Sequence, residues 1–413
     1  MEAEAVAEEK AFAPDFAAFE AGHPADPAWL AELRRNAFAR FAQLGFPTAR
    51  VEAWRYTSVR PIVETAWTPA ERAPRPVPLP PGDGVLVTSL RDAIARDPEK
   101  LHPHLAKLAG FEKSAFTALN TAFFEDGVLV EIERGAIVDR PIELFFESAG
   151  SEAPPVYSPR ILVLAGESSQ ATVVETWTGP GRRPYFMNAV TEIAVGDGAV
   201  LQHVKVQRED EASFHVQAIA VRQGRSSRFT SHNVALGAAL ARTDLDVLLA
   251  EEGAECELNG LFLGAGTQHL DNHTVIDHAK PHGVSRELYK GIMDGKARGV
   301  FHGTVVVRPG AQKTDAMQTN KNLLLSKEAL VNSTPALQIL ADDVKCKHGS
   351  TTGQLDAASL FYLRSRGIGE AEARALLTWA FASDVVSRIP VPAARAAVEA
   401  ALSARLQSPP EAP

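Results

Sequence analysis

The sequence predicts a mainly β protein with helical ends: a parallel β-helix core between N-terminal and C-terminal helical regions. Three observations carry this. From about Gly127 to Gly353 short β-rich runs follow one another, among them Val128–Ile132, Ile142–Phe146, Ile161–Leu164, Val190–Val195, Val200–Val206 and Val216–Val221, with Gly, Asp and Ser turns between them. Almost no helix-length periodic segment separates these runs, which argues against a doubly wound α/β fold. The turns also recur. Those opening at Gly166, Gly196, Gly224 and Glu252 each enter a strand, in steps of 30, 28 and 28 residues. A near-constant step of that size marks stacked coils, each burying its face against the next. A jelly roll or sandwich is the alternative these runs leave open, and the nonapeptide calcium signature of some β-helices is absent.

Residues 1–125 read as mostly helical. Leu30, Leu33, Ala37, Phe38 and Phe41 recur at three- and four-residue steps over Pro27–Gln43, an amphipathic helix. Six prolines between Pro69 and Gly84 exclude helix and central strand there, so 69–84 reads as a stiff linker. Helical character returns at Leu90–Ala109 and Ser114–Phe124. Residues 126–354 form the β core, and 355–413 the C-terminal helical region. There Asp356 is placed to cap a helix that ends at Gly367. Gly369–Ile389 is a second helix stopped by Pro390, and Ala393–Leu406 an alanine-rich third. Ser408–Pro413 reads as a frayed tail.

Lys plus Arg number 42 and Asp plus Glu 51 in 413 residues, a net charge of −9, so the global basic footprint of a nucleic-acid binder is missing. Cys256 and Cys346 stand alone and cannot build a disulfide framework, which suits a reducing cytoplasm. The first residues, MEAEAVAEEK, carry neither the basic n-region nor the apolar h-region of a signal peptide. No run of about 18 apolar residues suggests a membrane span.

Motifs for nucleotide, dinucleotide, zinc-protease and serine-hydrolase chemistry are absent: no G-x-x-x-x-G-K-[ST], G-x-G-x-x-G, H-E-x-x-H, C-x-x-C or G-x-S-x-G occurs. Two clusters carry chemistry instead. His269, His273, His278 and His282, interleaved with Asp271 and Asp277, supply transition-metal ligand types. Their spacings of four, five and four do not fit one strand face, so loops would have to gather them; otherwise they are hydrogen-bonded structural histidines. The second cluster is Asp342–Ser350, in which Cys346 and His348 share one face of an extended strand while Lys345 and Lys347 take the other. A nearby cation lowers a thiol pKa, and thiolate plus neutral imidazole is a soft ligand pair, as iron–sulfur ligation requires. A buried Cys beside a hydrogen-bonded His is the plain alternative. Cys256, between Glu255 and Glu257, reads as structural. Trp54–Thr57 is either a partner-facing patch or a packing anchor.

Five stretches resemble one family: Ser285–Gly291 (SRELYKG), Lys313–Gln318 (KTDAMQ), Asn322–Ser326 (NLLLS), Asp342–Gly353 (DDVKCKHGSTTG) and Leu360–Gly367 (LFYLRSRG). They are similar to the SufB/SufD family of the SUF iron–sulfur cluster assembly system. SufB members typically show His-Glu-Ala where this chain has His348, Gly349 and Ser350, and they carry more cysteines, so the resemblance is to the SufD branch. It implies that the β-helix is right-handed and that the chain is a non-catalytic scaffold. It also implies pairing with a SufB-like paralogue through the core, and docking of the SufC ATPase, which would hydrolyse the ATP, on the C-terminal helices. A nascent iron–sulfur cluster is then expected at the subunit interface, bound by His348 with Cys346 as auxiliary, and none in the isolated chain. A homodimer is expected when the paralogue is absent. The resemblance leaves open a reduced flavin in the assembled complex, and it implies neither nucleic acid nor membrane as partner. Two other readings stand beside it: a carbohydrate-active β-helix enzyme, which needs paired carboxylates in a groove, and a stand-alone metal-binding solenoid using His269–His282.

Overall fold

The computed structural model describes residues 16–70, 82, 84–148, 151–179, 181 and 183–407. Most of the expected 69–84 linker, and all of the expected tail, lie outside those residues. From Gly127 to Gly353, apart from the short strand Pro155–Tyr157 at the side of the first sheet, sixteen strands alternate between two sheets, so each coil contributes one strand to either face. Neighbouring strands within each sheet run parallel, as in Phe214–Gln223 against Leu240–Leu249 and Arg228–Ala235 against Glu255–Gly264. The core is therefore a parallel β-solenoid of about eight turns, flattened into two faces. One strand departs from this rule. Val85–Ser89 runs antiparallel to Gly127–Ile132 and covers the first edge of its sheet.

The sequence repeat is the edge of the solenoid. A positive φ recurs at Ser168, Gly198, Ser226, Gly253, His282 and Lys313. Each of these residues donates its N–H to the turn one coil further on: Ser168 to Asp197 O, Gly198 to Arg225 O, Ser226 to Glu252 O, Gly253 to Pro281 O, His282 to Gln312 O and Lys313 to Asp343 O. The turns thus stack into a hydrogen-bonded ladder, and glycine at 198 and 253 meets the left-handed backbone without steric cost.

Five strands carry too little apolar alternation to be marked in the sequence: Leu240–Leu249, His269–His278, Val284–Met293, Asp315–Leu324 and Leu330–Ile339. The lumen explains this. Thr243, Asn272, Glu287, Gln318 and Asn320 are buried on their inner faces, where a pattern reading expects Val or Ile. The polar lumen is satisfied largely from within, by bonds such as Lys205 Nζ to Thr243 Oγ1 at 2.8 Å and Asn233 Nδ2 to Asn272 Oδ1 at 3.0 Å.

Helices cover the outer face of each sheet. On the first sheet, Phe41 of the Ala28–Leu44 helix, Trp54, Ile62 and Phe116 of the Ala115–Phe123 helix pack on Phe186, Val216 and Leu240. Trp54 is the packing anchor of its segment: it is buried, and the Arg242 guanidinium lies 3.8 Å above its ring. The helix expected over Leu90–Ala109 is shorter. It runs over Leu90–Arg96, capped by Ser89, and Pro98 restarts it as the single turn Pro98–Leu101, because proline cannot donate to a continuing helix. On the second sheet, Ala382, Val385, Val386, Ile389, Val398 and Leu402 seat on Val206, Val234, Leu261 and Leu263. Burying each such aliphatic side chain is worth about 1.5–3 kcal/mol, which holds the Glu370–Val386 and Pro392–Gln407 helices to the core. Among the described residues no helix is long and apolar enough to cross a membrane.

Candidate functional site at the open end of the solenoid

The solenoid ends without a cap among the described residues. Leu330–Ile339 is the last strand of the first sheet and Lys345–Gly353 the last of the second. Each has one neighbour, Arg298–Val307 and Asp315–Leu324 respectively. Pro335 is tolerated within Leu330–Ile339 because an edge strand has a side from which no ladder bond is needed.

Register decides which side chains this end presents. Cys346, His348 and Ser350 pair with Ala316, Gln318 and Asn320, all buried in the lumen. The terminal trio therefore continues the lumen-facing columns, with no further coil to cover it. Every residue of Lys345–Gly353 is exposed except Cys346, which is half-buried. Lys345 and Lys347 pair with Asp315 and Met317 on the outer face, as the alternation predicts.

The end is divided by chemistry. Cys346 packs in an apolar corner with Val305, Val307, Ala311, Ala316 and Ala341. Burial pushes its thiol pKa up, and Asp315 adds to the rise. The expectation that Lys345 and Lys347 would favour thiolate is thereby overturned, since both lysines lie across the strand from the sulfur. The opposite half is polar. Ser333 Oγ lies 2.7 Å from both Asn320 Oδ1 and Ser350 Oγ, tying the two sheets together, and Asn322 Nδ2 donates to Asn320 Oδ1 at 2.6 Å. The His348 imidazole stands between the halves and makes no hydrogen bond to a described residue. One exposed imidazole and one half-buried thiol thus stand two residues apart, roughly 6.8 Å along the strand.

The four histidines of the other cluster are not gathered. His269 and His273, an even number apart, share the outer face of the first sheet: His269 Nε2 lies 2.9 Å from Thr57 Oγ1, and His273 Nε2 lies 3.0 Å from Asp271 Oδ1. Burial pushes the Asp271 carboxyl up, but Arg242, His273 and Thr57 together hold it well below the usual carboxylate range. His278, an odd step on, points into the lumen, where its Nε2 meets Ser285 Oγ at 2.9 Å; burial pushes its pKa down to about 4. His282 is an exposed turn residue of the ladder. Among the described residues no group of three or more His, Cys, Asp or Glu could hold a metal ion. Cys256 is buried, and its thiol is pushed well up by burial, with Glu287 and Glu257 adding to the rise.

Three residues around the open end escaped the sequence reading: Glu287, Gln318 and Ser333. Glu287 and Gln318 lie inside stretches that carry the family resemblance, but only strand register shows that they face the same lumen as His348.

A family model described as SUF system FeS cluster assembly, SufBD core domain, matches residues 146–381, more than half of the chain. The chain belongs to the SufBD family. The SufBD core match contains the whole Cys346–Ser350 edge, and a model of the SufBD protein N-terminal region matches residues 22–77 and 70–144. Among curated relatives, an iron–sulfur cluster assembly SufBD family protein of Synechocystis is 39% identical over 298 residues, 70% of this chain and 66% of its own length. The iron–sulfur cluster assembly protein SufD of Escherichia coli is 30% identical over 363 residues, covering 84% of this chain and 86% of SufD. A SufBD family protein of Mycobacterium tuberculosis is 30% identical over 389 residues, 92% and 94% of the two chains.

Proposed function

We propose that this SufBD protein is a non-catalytic scaffold subunit on which a nascent iron–sulfur cluster is built at an interface with a SufB-like paralogue. The observation that carries the reading is the open terminal coil. Two edge strands of ten and nine residues, Leu330–Ile339 and Lys345–Gly353, offer unpaired backbone to another solenoid. His348 lies on that edge with Cys346 beside it as auxiliary, so the ligand set is half complete until a partner supplies the rest. Pairing and cluster binding are then one event. In the absence of the paralogue the same edges suit a second copy of this chain, giving a homodimer.

The C-terminal helices suit the ATPase of such a complex, a SufC-like partner. Phe361 and Tyr362 on Ala357–Ser365 are 74% and 57% exposed, and Leu376 on the next helix 45%, an apolar surface that a solitary protein rarely displays. ATP hydrolysis would then occur on the partner, and the complex would work in the cytoplasm. The test is an anaerobic pull-down of the tagged chain from its native cells, with mass identification of partners and iron and sulfide analysis. Recovery of an ABC-type ATPase and a cysteine-richer paralogue is expected. A single species carrying its own metal would overturn the reading in favour of a stand-alone metal protein.

A further inference from the structure

Gln318 sits one coil inward of His348, in register with it and on the same lumen-facing column. Its side chain is 1% exposed. Nε2 donates to Glu287 Oε2 at 2.7 Å, and Glu287 Oε1 accepts from Thr274 Oγ1 at 2.6 Å. The amide crosses the lumen above Gly303, where a Cβ would lie 2.3 Å from Nε2, so only glycine at 303 admits it. With its nitrogen committed to a carboxylate, the other end of the amide is an acceptor, and Oε1 is buried without a hydrogen-bond partner. A buried acceptor left unpaired is costly, and each such case calls for a donor. The register neighbour on the open side, His348, carries a ring N–H that has no described partner either.

We propose that Gln318 is the positioning residue of His348: Oε1 accepts one imidazole N–H, fixing the tautomer and leaving the lone pair of the other nitrogen facing the open end. Glu287 holds the amide so that oxygen, not nitrogen, meets the ring. Histidines that bind metal are usually oriented in this way, by an acceptor on the nitrogen that does not bind. The pairing is inferred from strand register and the unpartnered Oε1 of this chain alone; its use, presenting a nitrogen to iron at the interface, rests on the proposed function.

Selective ¹⁵N labelling of histidine tests the contact without metal or partner. A long-range ¹H–¹⁵N correlation at pH 8 reads the tautomer of each ring, and His348→Gln assigns the signal. The wild type is expected to show the two well-separated ring shifts of a single tautomer, and Gln318→Leu the averaged shifts of a solvated imidazole. Averaged shifts in the wild type, or unchanged shifts in Gln318→Leu, would overturn the proposal. If Gln318→Leu also moves the His278 signal, the coil itself has been disturbed, and Glu287→Gln decides: its amide can donate or accept, so the bias of His348 should weaken, and an unchanged tautomer overturns the proposal. In the assembled complex Gln318→Leu should lower iron affinity about 10–100-fold. Full iron and sulfide loading with His348→Ala would sink the cluster reading while leaving the tautomer result intact.

Discussion

Glu192 ties the N-terminal region to the solenoid through a buried carboxylate, and its removal should be felt throughout. It projects from the outer face of Phe186–Val195 and is fully buried, as is Arg160. Its carboxylate accepts from Arg160 Nε at 3.0 Å and Nη2 at 2.8 Å, and from the backbone N–H groups of Ala106, Leu108 and Ala109 at 2.8, 2.9 and 3.0 Å. Glu192→Ala strands the guanidinium, which keeps only neutral acceptors, Asn120 Oδ1 and Thr121 Oγ1. Breaking a buried pair from one side costs about 3–5 kcal/mol. The Ala109 N–H, the buried one of the three, adds about 1–2 kcal/mol, while water can reach the other two. A chain of 413 residues loses about 1 °C per kcal/mol, so the melting temperature should fall by roughly 5–8 °C. Urea melts followed by tryptophan fluorescence and by circular dichroism measure the loss. The double variant Arg160→Met with Glu192→Leu should cost less than Glu192→Ala alone, since it strands no charge. A loss below about 1 kcal/mol for Glu192→Ala, or a larger loss for the double variant, would refute this account.

Two further predictions concern the lumen and the thiols. Burial pushes the Glu287 carboxyl up from 4.5 to about 7. Because the folded state holds this proton more tightly, its stabilising effect is complete below about pH 4.5 and is lost as pH rises through about 7. Glu287→Gln should remove that slope, by up to about 3 kcal/mol between pH 4.5 and 8, and parallel stability profiles for variant and wild type would contradict the assignment. Of the two cysteines, Cys256 is sealed in the core and Cys346 is half-buried with a raised pKa. A disulfide reagent at pH 7.5 should therefore titrate one thiol in the native chain, more slowly than free cysteine, and two in denaturant. Cys346→Ser should abolish the native reaction, and a fast reaction at two native thiols would show the burial to be wrong.

The solenoid was legible because its turns obey a backbone rule. A left-handed residue at 198 and 253 calls for glycine, and the stacked turns space those signals regularly. Individual strands were less legible, since Glu287, Gln318 and Asn320 face the lumen where apolar residues would have marked them. At the candidate site the alternation of Cys346 and His348 against Lys345 and Lys347 could be read directly, because period-two geometry is local. The thiol's environment could not, as it depends on Val305, Val307 and Ala311 one coil away. The histidine cluster shows the same limit. Parity placed His273 and His278 on opposite faces, but Thr57 and Ser285, which satisfy His269 and His278, are brought in only by the fold.

The central claim is that His348 completes a cluster site at the open end, and the most direct measurement is assembly by the reconstituted complex. The chain, a SufB-like paralogue and the ATPase would be combined anaerobically with iron, sulfide source and ATP, and bound iron and sulfide counted for wild type and His348→Ala. The account predicts that the variant keeps its partners and its fold, with a melting temperature lowered by no more than about 3 °C because His348 is exposed and gives up only the proposed contact to Gln318, yet accumulates no cluster. A wild-type yield of iron and sulfide on the His348→Ala complex would contradict it.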